Sequence, residues 1–414
     1  MATNGASVNG HGEIRGPLTG IRILDLSIFQ NGPFSTVMLS DMGADVIKIE
    51  HAEEGDPARN VRLVATTDSD AFKIYFETMN RNKRAITLNL KHAKGQGVFR
   101  KLVEKADVVV QNFRVGVAER LGIDYETLKK INPRIIRAAN TGLGHLGPEA
   151  TQPLLDGIGQ ARSGFVYVMA DPDGTPSNIG NIGFADQSGA MILAYAITLA
   201  LLARERYGVG QNVETSQLGA MMFLMQSGIH QVFIGNQQPR RIPRSESKNP
   251  LSNTYKCADG EWLSMAAVQS DRWFSPIVKM LDRDGLLEDP RFSSLDLRQE
   301  HQDELVRIFD EAFAERPREH WLGKLREIGM IMGPVQSFGD LLTDPQVIAN
   351  DYVVELEHPT VGTLKEVGTP IYFSETPGRP RSTAPEFGQH TEEVLIEHGY
   401  DWKQIEELRA AGAI

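Results

Sequence analysis

The chain has 414 residues, 41% hydrophobic and 23% charged, an ordinary globular composition with length for two or three domains. Lys and Arg total 43 against 54 Asp and Glu, a net charge of −11. That argues against bulk attraction to nucleic acid or anionic lipid, so a polyanionic ligand has to be held by local basic groups. Cys257 is the only cysteine, which excludes an internal disulfide and a thiolate metal cluster and suits a reducing cytoplasm.

Met1 to Gly16 is a polar, glycine-containing stretch without the apolar core of a secretion signal, and is expected to be a disordered tail. Ile21–Leu26 reads as a strand, Ser27–Gly32 as a turn, the segment from Pro33 as a helix with proline at its first position, and Val46–Ile49 as a second strand. Strand, helix, strand in so short a stretch is the βαβ pattern of a parallel sheet. It recurs: Val98, Phe99, Leu102 and Val103 have helical spacing before the strand Val108–Val110, and Leu128–Pro133 leads to Ile135–Ala139. Asp171–Gly183 is rich in turn residues. The apolar run Ala190–Ala203 follows and is shorter than the roughly 18 residues of a membrane span, so it is expected to be a buried helix. Val209–Asn212 reads as a turn and Leu218–Met225 as another apolar helix. Gln237–Leu251, with its prolines and arginines, reads as a crossing segment. Tyr255–Val268 is a hairpin around Asp259-Gly260, followed by helices, one with Leu305, Ile308, Phe309, Ala312 and Phe313 on one face. The chain closes on an amphipathic helix, Asp401–Ala410. Residues 255–330 could thus form a small α+β domain, with the tail 331–414 returning to mixed strands.

Two patterns mislead. Gly142-Leu-Gly144-His-Leu-Gly147 matches a dinucleotide fingerprint, but Pro148 and polar residues stand where the phosphate-binding helix should begin, so a loop is expected. His51, His145, His230, His301, His320 and His390 lack metal-ligand spacing, and no metal site is expected.

Asp186 lies where a glycine-containing loop meets the apolar helix. An N-cap accounts for an aspartate there without any function. The same position would also keep the carboxylate ionised and ready to act as a nucleophile, with glycines leaving room for a substrate. Arg81, Lys83 and Arg84, then Arg114 and Arg120 around Asn112-Phe113, then Arg240, Arg241 and Arg244, form local basic groups. Each could be a solvated face. Together they could hold a phosphorylated ligand, with Phe113 stacking on a base.

Several segments in order carry a resemblance: Gly16–Ser27, Asp41–Glu50, Asn82–Leu88, Ala106–Phe113, Gly208–Val213 and Gly388–Val394. Through them the chain resembles the family III CoA-transferases, the group of formyl-CoA transferase and the carnitine CoA-transferase. The resemblance implies an α/β fold: a Rossmann-like large domain with a parallel sheet, built from both chain ends (17–230 completed by 335–414), then a linker 231–254 and a smaller α+β domain 255–334, in an interlocked, ring-like homodimer. It implies no tightly bound cofactor, coenzyme A as substrate, acyl-CoA and small carboxylates as partners, no nucleic acid or membrane partner, and a cytoplasmic enzyme.

By the same resemblance Asp186 is the nucleophile, passing through a mixed anhydride and an aspartyl-CoA thioester, with Gln30 beside it and Asp156 as an acidic residue of the transferases. Asn112, Phe113, Arg120, Lys83 and His51 match CoA contacts, His51 standing where relatives have an arginine. Arg240, Arg241 and Arg244 could hold a distal carboxylate. A glycine run that covers the site in formyl-CoA transferase is replaced by Ser245–Ser252, and one of its lysines by Thr141, so formate and oxalate are not implied. Racemases of 2-methylacyl-CoA thioesters share the fold and use a His-Asp pair; here the place reads Leu155-Asp156, which favours transfer. A non-catalytic CoA-binding protein is the third reading, and it has no use for a carboxylate at 186.

Overall fold

The computed structural model describes residues 15–61, 73–171, 173–177 and 182–414, and pairs two short strands, Ser7–Val8 and His11–Glu13, before them. The rest of the expected tail before residue 15 and part of the stretch 171–183 lie outside the described residues. The chain forms two compact units. One comprises 1–167, 178–239 and 349–414; the other comprises 168–177 and 240–348. The second unit thus starts at Arg240 rather than Tyr255, and takes in a short piece from the middle of the chain.

The first unit is built on a six-stranded parallel sheet: β1 (Arg22–Asp25), β2 (Asp45–Glu50), β3 (Arg84–Thr87), β4 (Val108–Gln111), β5 (Ile136–Thr141) and β6 (Gln211–Ser216). Their spatial order is β3-β2-β1-β4-β5-β6, every neighbouring pair parallel. This is the doubly wound arrangement, in which the chain reverses its direction of travel between β1 and β4 and leaves a crevice at the C-terminal strand ends.

The inner strands read as unbroken apolar runs because helices cover both faces. Leu24, Ile47, Ile49 and Val109 point to one side, against Val98, Phe99, Leu102 and Val103 of the helix Ala93–Val103 and against Val394, Leu395, Ile405 and Leu408 near the C-terminus. Ile23, Val46, Val108, Val110 and Ile136 point to the other. Each such side chain, fully withdrawn from water, contributes about 1.5–3 kcal/mol before conformational entropy is charged against it.

Four helices carry the candidate site: α1 (Asn31–Asp41), α2 (Asp156–Arg162), α3 (Phe184–Tyr207) and α4 (Gln217–Leu224). In α1, Pro33 is the third residue and not the first. The 24-residue α3 is longer than its apolar run predicts, and by length and hydropathy it could cross a bilayer. One stripe, with Leu193, Ile197, Ala200 and Leu201, packs on the sheet. The other, with Met191, Tyr195, Leu199 and Leu202, is exposed, which corrects the expectation of a wholly buried helix.

The last residues return to the sheet. At the outer edge of β3, His390 N–H donates to the Ala85 carbonyl at 2.8 Å, Thr87 N–H to Thr391 Oγ1 at 3.1 Å, and Asn89 N–H to the Ala413 carbonyl at 2.8 Å. The final helix, Trp402–Ala410, starts from an Asp401–Gln404 capping box.

The second unit holds a three-stranded antiparallel sheet, Thr254–Lys256, Trp262–Met265 and Met332–Pro334, with the expected hairpin between the first two. Tyr255, Phe309, Phe313 and Trp321 form its aromatic core, Tyr255 stacked on Phe313 at 4.8 Å.

Candidate active site

α3 is preceded by its N-cap residue Gly183, which has φ +73°, a backbone conformation costly for any residue with a Cβ. A Cβ at Gly183 would also fall 2.3 Å from Nε2 of Gln30, so the glycine is what lets the Gln30 amide reach the start of α3. Asp186 is in the first turn and not at the N-cap. The capping is done from elsewhere: Oδ1 of Asp156, on α2, accepts from the N–H groups of Ala185 at 2.8 Å and Asp186 at 3.0 Å. The other Asp156 oxygen accepts from Gln160 Nε2.

The Asp186 side chain is partly buried, and Oδ1 accepts from Nε2 of Gln217, at the start of α4. Burial, and then the negative charge of Asp156, push the Asp186 carboxyl up to about 7, while a hydrogen bond from Asn31 works the other way. The expectation that the helix N-terminus keeps this group ionised meets an opposing influence, since withdrawal from water and the Asp156 charge both raise the carboxyl. Tyr75 Oη donates to Gln30 Oε1 at 3.1 Å. Burial and the nearby Asp186, Asp56 and Asp156 raise its hydroxyl well above the ordinary phenol range.

The sequence reading thus located Asp186, Asp156 and Gln30, which the fold draws together, and missed Gln217, Asn31 and Tyr75. Gln217 had one available signal: it opens a helix directly after a parallel strand, where such sheets place their ligand-facing residues.

A second feature lies at the C-terminal ends of β1 to β4. It is a cavity of about 240 Å³ lined by Ser27, Lys48, His51, Asp56, Lys91 and Phe113, among others. His51 Nδ1 accepts from the Glu53 and Glu54 N–H groups, each at 3.3 Å, leaving Nε2 as the donor nitrogen. Arg120 is exposed and has no acidic partner among the described residues. Lys91 was not foreseen.

Two expected CoA contacts are corrected. The Lys83 side chain is fully buried and donates to Asp25 at 2.9 Å, the Pro33 and Met79 carbonyls, and Asn80, so its ammonium is a structural brace and reaches no ligand. Asn112 directs its amide to the Ile28 backbone, donating to the carbonyl at 2.7 Å and accepting from the N–H at 2.9 Å. It holds a turn. Among the expected arginines of the second unit, one is engaged elsewhere and two are exposed. Arg244 makes a two-pronged contact with Asp310, donates to the Thr254 carbonyl at 2.9 Å and lies over Tyr255 and Trp262, so its guanidinium already has a carboxylate partner within the unit. Arg241 is exposed, 3.6 Å from Asp171, and Arg240 is exposed. The Gly142–Gly147 segment is a loop with no helix after it.

Comparison with known proteins gives the same picture. The family profile of CoA-transferase family III matches residues 18–391. A (R)-2-hydroxy-4-methylpentanoate CoA-transferase of Clostridioides difficile is 33% identical over 95% of this chain and 98% of its own length. A succinyl-CoA:glutarate CoA-transferase of Mus musculus is 32% identical over 96% of this chain and 90% of its own. Among solved structures, a CAIB/BAIF family protein from Brucella suis superimposes with a TM-score of 0.82 at 30% identity, covering 93% of this chain and all (100%) of that one. The sheet order, the near-complete coverage and the family match lead to one conclusion: the chain belongs to the family III CoA-transferases.

Proposed function

We propose that this chain moves CoA from an acyl-CoA thioester to a small carboxylic acid, with Asp186 as the nucleophile. The observation that carries the reading is the Asp186 carboxyl itself, held by Gln217 beside Asp156 and raised to about 7. A carboxylate of that basicity is a better nucleophile than a solvated one, yet is still substantially ionised near neutral pH.

In the first step an Asp186 oxygen attacks the thioester carbonyl, the C–S bond breaks, and the thiolate of CoA leaves a mixed anhydride. The thiolate returns to the aspartyl carbonyl, expelling the donor carboxylate and leaving aspartyl-CoA thioester. The acceptor carboxylate then attacks that carbonyl and frees the thiolate again. The thiolate takes the acceptor acyl group and restores Asp186. Over the whole cycle one CoA thioester and one carboxylate are exchanged for another of each, so no nucleotide hydrolysis is required. The Gln30 amide, against Gly183 at the start of α3, is suited to donate to the oxyanion of these steps. Partial burial protects intermediates that water would hydrolyse.

The cavity at the ends of β1 to β4 is assigned to the nucleotide end of CoA, with Phe113 and His51 in its wall and Arg120 outside it as a phosphate partner. The relatives' names favour a short carboxylate or dicarboxylate as acceptor. An interlocked homodimer accounts for the exposed apolar stripe of α3, together with Phe223 and Leu224 of α4 and Phe233 and Ile234 of the next helix, an area too apolar to be left in water.

The test is rapid quenching during turnover of a panel of acyl-CoA donors, followed by mass spectrometry of the Asp186 peptide. A CoA adduct that hydroxylamine converts to a hydroxamate is expected. An unmodified peptide in a turning-over enzyme overturns the mechanism, and solvent deuterium entering the α-carbon of the thioester would move the assignment to racemisation.

A further inference from the structure

Five described non-glycine residues have positive φ, and four of them are Asn or Asp, which tolerate it. The fifth is Phe29, at φ 61°, directly before Gln30. A bulky side chain in this conformation costs energy and persists only where the surroundings impose it, and such positions gather at functional sites.

Side chains impose it here. Lys48 Nζ donates to the Ser27 carbonyl at 2.9 Å. Asn112 brackets both polar groups of Ile28. Asp56 Oδ1 accepts from Phe29 N–H at 3.1 Å. Lys48 and Asp56 are joined at 2.7 Å, and both side chains are wholly buried. Further out, Glu50 Oε2 accepts from Asp56 N–H at 2.9 Å and is itself gripped by Arg59. The turn from Ser27 to Phe29 is therefore fixed residue by residue from outside itself. Its product is the placement of Gln30, with one end of its amide at Gly183 and the other accepting from Tyr75.

We propose that the buried Lys48–Asp56 pair is a positioning device for Gln30, holding the turn around Phe29 in its strained form so that the amide stays at the head of α3. The pair makes no hydrogen bond or ion pair with Asp186 among the described residues; it acts through the backbone of residues 27–29. The proposal rests on the transfer reaction proposed above. Because both residues also line the cavity assigned to CoA, the test has to separate positioning from binding.

Two variants serve, Asp56→Ala and the double Lys48→Met/Asp56→Ala, the second removing both charges so that no uncompensated ion is buried. Expected for both is a loss in kcat of about 100-fold, the usual consequence of a misplacement near 1 Å. The KM for acyl-CoA and the dissociation constant for free CoA should stay within about threefold of wild type, as when an interaction made only in the transition state is removed. Hydrogen exchange of the peptide spanning residues 27–31 should accelerate while that of 184–190 does not. Asp56→Asn, which keeps an acceptor for Phe29 N–H, should retain more kcat than Asp56→Ala. An unchanged kcat, a loss expressed in KM alone, or a kcat loss with residues 27–31 still protected overturns the proposal. Should Asp56→Ala fail to fold, the double variant decides. A wild-type enzyme that transfers no CoA would instead sink the functional reading, while the exchange comparison would still report whether the pair holds the turn.

Discussion

Asp25 and Asp186 belong to the same unit, one at the end of β1 and the other in the first turn of α3, and their surroundings drive them in opposite directions. Both are withdrawn from water, which by itself raises a carboxyl. At Asp25 that effect is outweighed by the ammonium groups of Lys83 and Lys48 and by the hydroxyls of Ser27 and Thr36, and the group is held down at about 2. Burial, partly offset by Asp25, in turn draws Lys83 down to about 8. At Asp186 burial is reinforced by Asp156, with the Asn31 hydrogen bond working against it, and the group rises to about 7. A carboxylate fully compensated by cations is a tie rod. One left beside another carboxylate binds its proton more tightly, as the proposed nucleophile does. Position in the fold is less decisive than the count of charges around it.

The largest effect that tests this contrast is chemical. Asp186→Asn should lower turnover by roughly a thousandfold or more while CoA binding, read by calorimetry, stays within a few-fold of wild type. Near-normal turnover would leave Asp186 as merely an odd surface of the fold. Next comes Lys83→Met, which strands Asp25 beside Lys48 alone; loss of one partner of a buried pair costs about 3–5 kcal/mol, to be read from denaturant unfolding, with no selective change in KM. A loss confined to CoA affinity would restore Lys83 to the binding site.

The pH dependence of stability should separate the two carboxyls. For Asp25 the folded value lies below the ordinary 3.8, so its contribution is present above about pH 4 and is lost as pH falls toward 2. For Asp186 the folded value lies above it, so the folded state binds the proton more tightly and loses stability as pH rises from about 4 to 7. Asp186→Asn removes that penalty and should stabilise the protein on the order of 1–3 kcal/mol at pH 8, with no gain at pH 4. A gain of the same size at both values would mean that proton linkage is not its origin. The smallest effect is the most specific. Asp156→Asn keeps an acceptor for the start of α3 but removes a charge, and should move the acidic limb of the pH–rate profile down by about one unit. An unmoved limb would detach Asp156 from the titration of its neighbour.

How much of this could be read beforehand depended on which residues face water. β1, β2, β4 and β5 announced themselves because they are buried on both faces, and an apolar run as short as Val108–Val110 suits an interior strand better than any helix. The two edge strands did not. β3 is Arg-Ala-Ile-Thr and β6 is Gln-Asn-Val-Glu-Thr-Ser, and with one side open to other partners neither needs an apolar run. Missing β6 meant missing Gln217, which it delivers to Asp186. Asp186, Gln30, Lys83 and Asn112 were all matched through family resemblance, Asp186 also by its place before an apolar helix; the structure sets Asp186 and Gln30 at the head of α3 and turns Lys83 and Asn112 to partners within the fold. A matched motif carries residue type but not the direction a side chain takes, and in both cases the polar atoms turn inward.

The hydrogen bonds that His390, Thr391 and Ala413 make along β3 have a consequence for biosynthesis. A ribosome releases the edge of this sheet long before it releases the segment that shields it. Until residues 390–413 emerge, the outer edge of β3 remains open to any passing strand. Removing residues 386–414 should therefore yield a product prone to self-association, read by size-exclusion chromatography, instead of a smaller working enzyme.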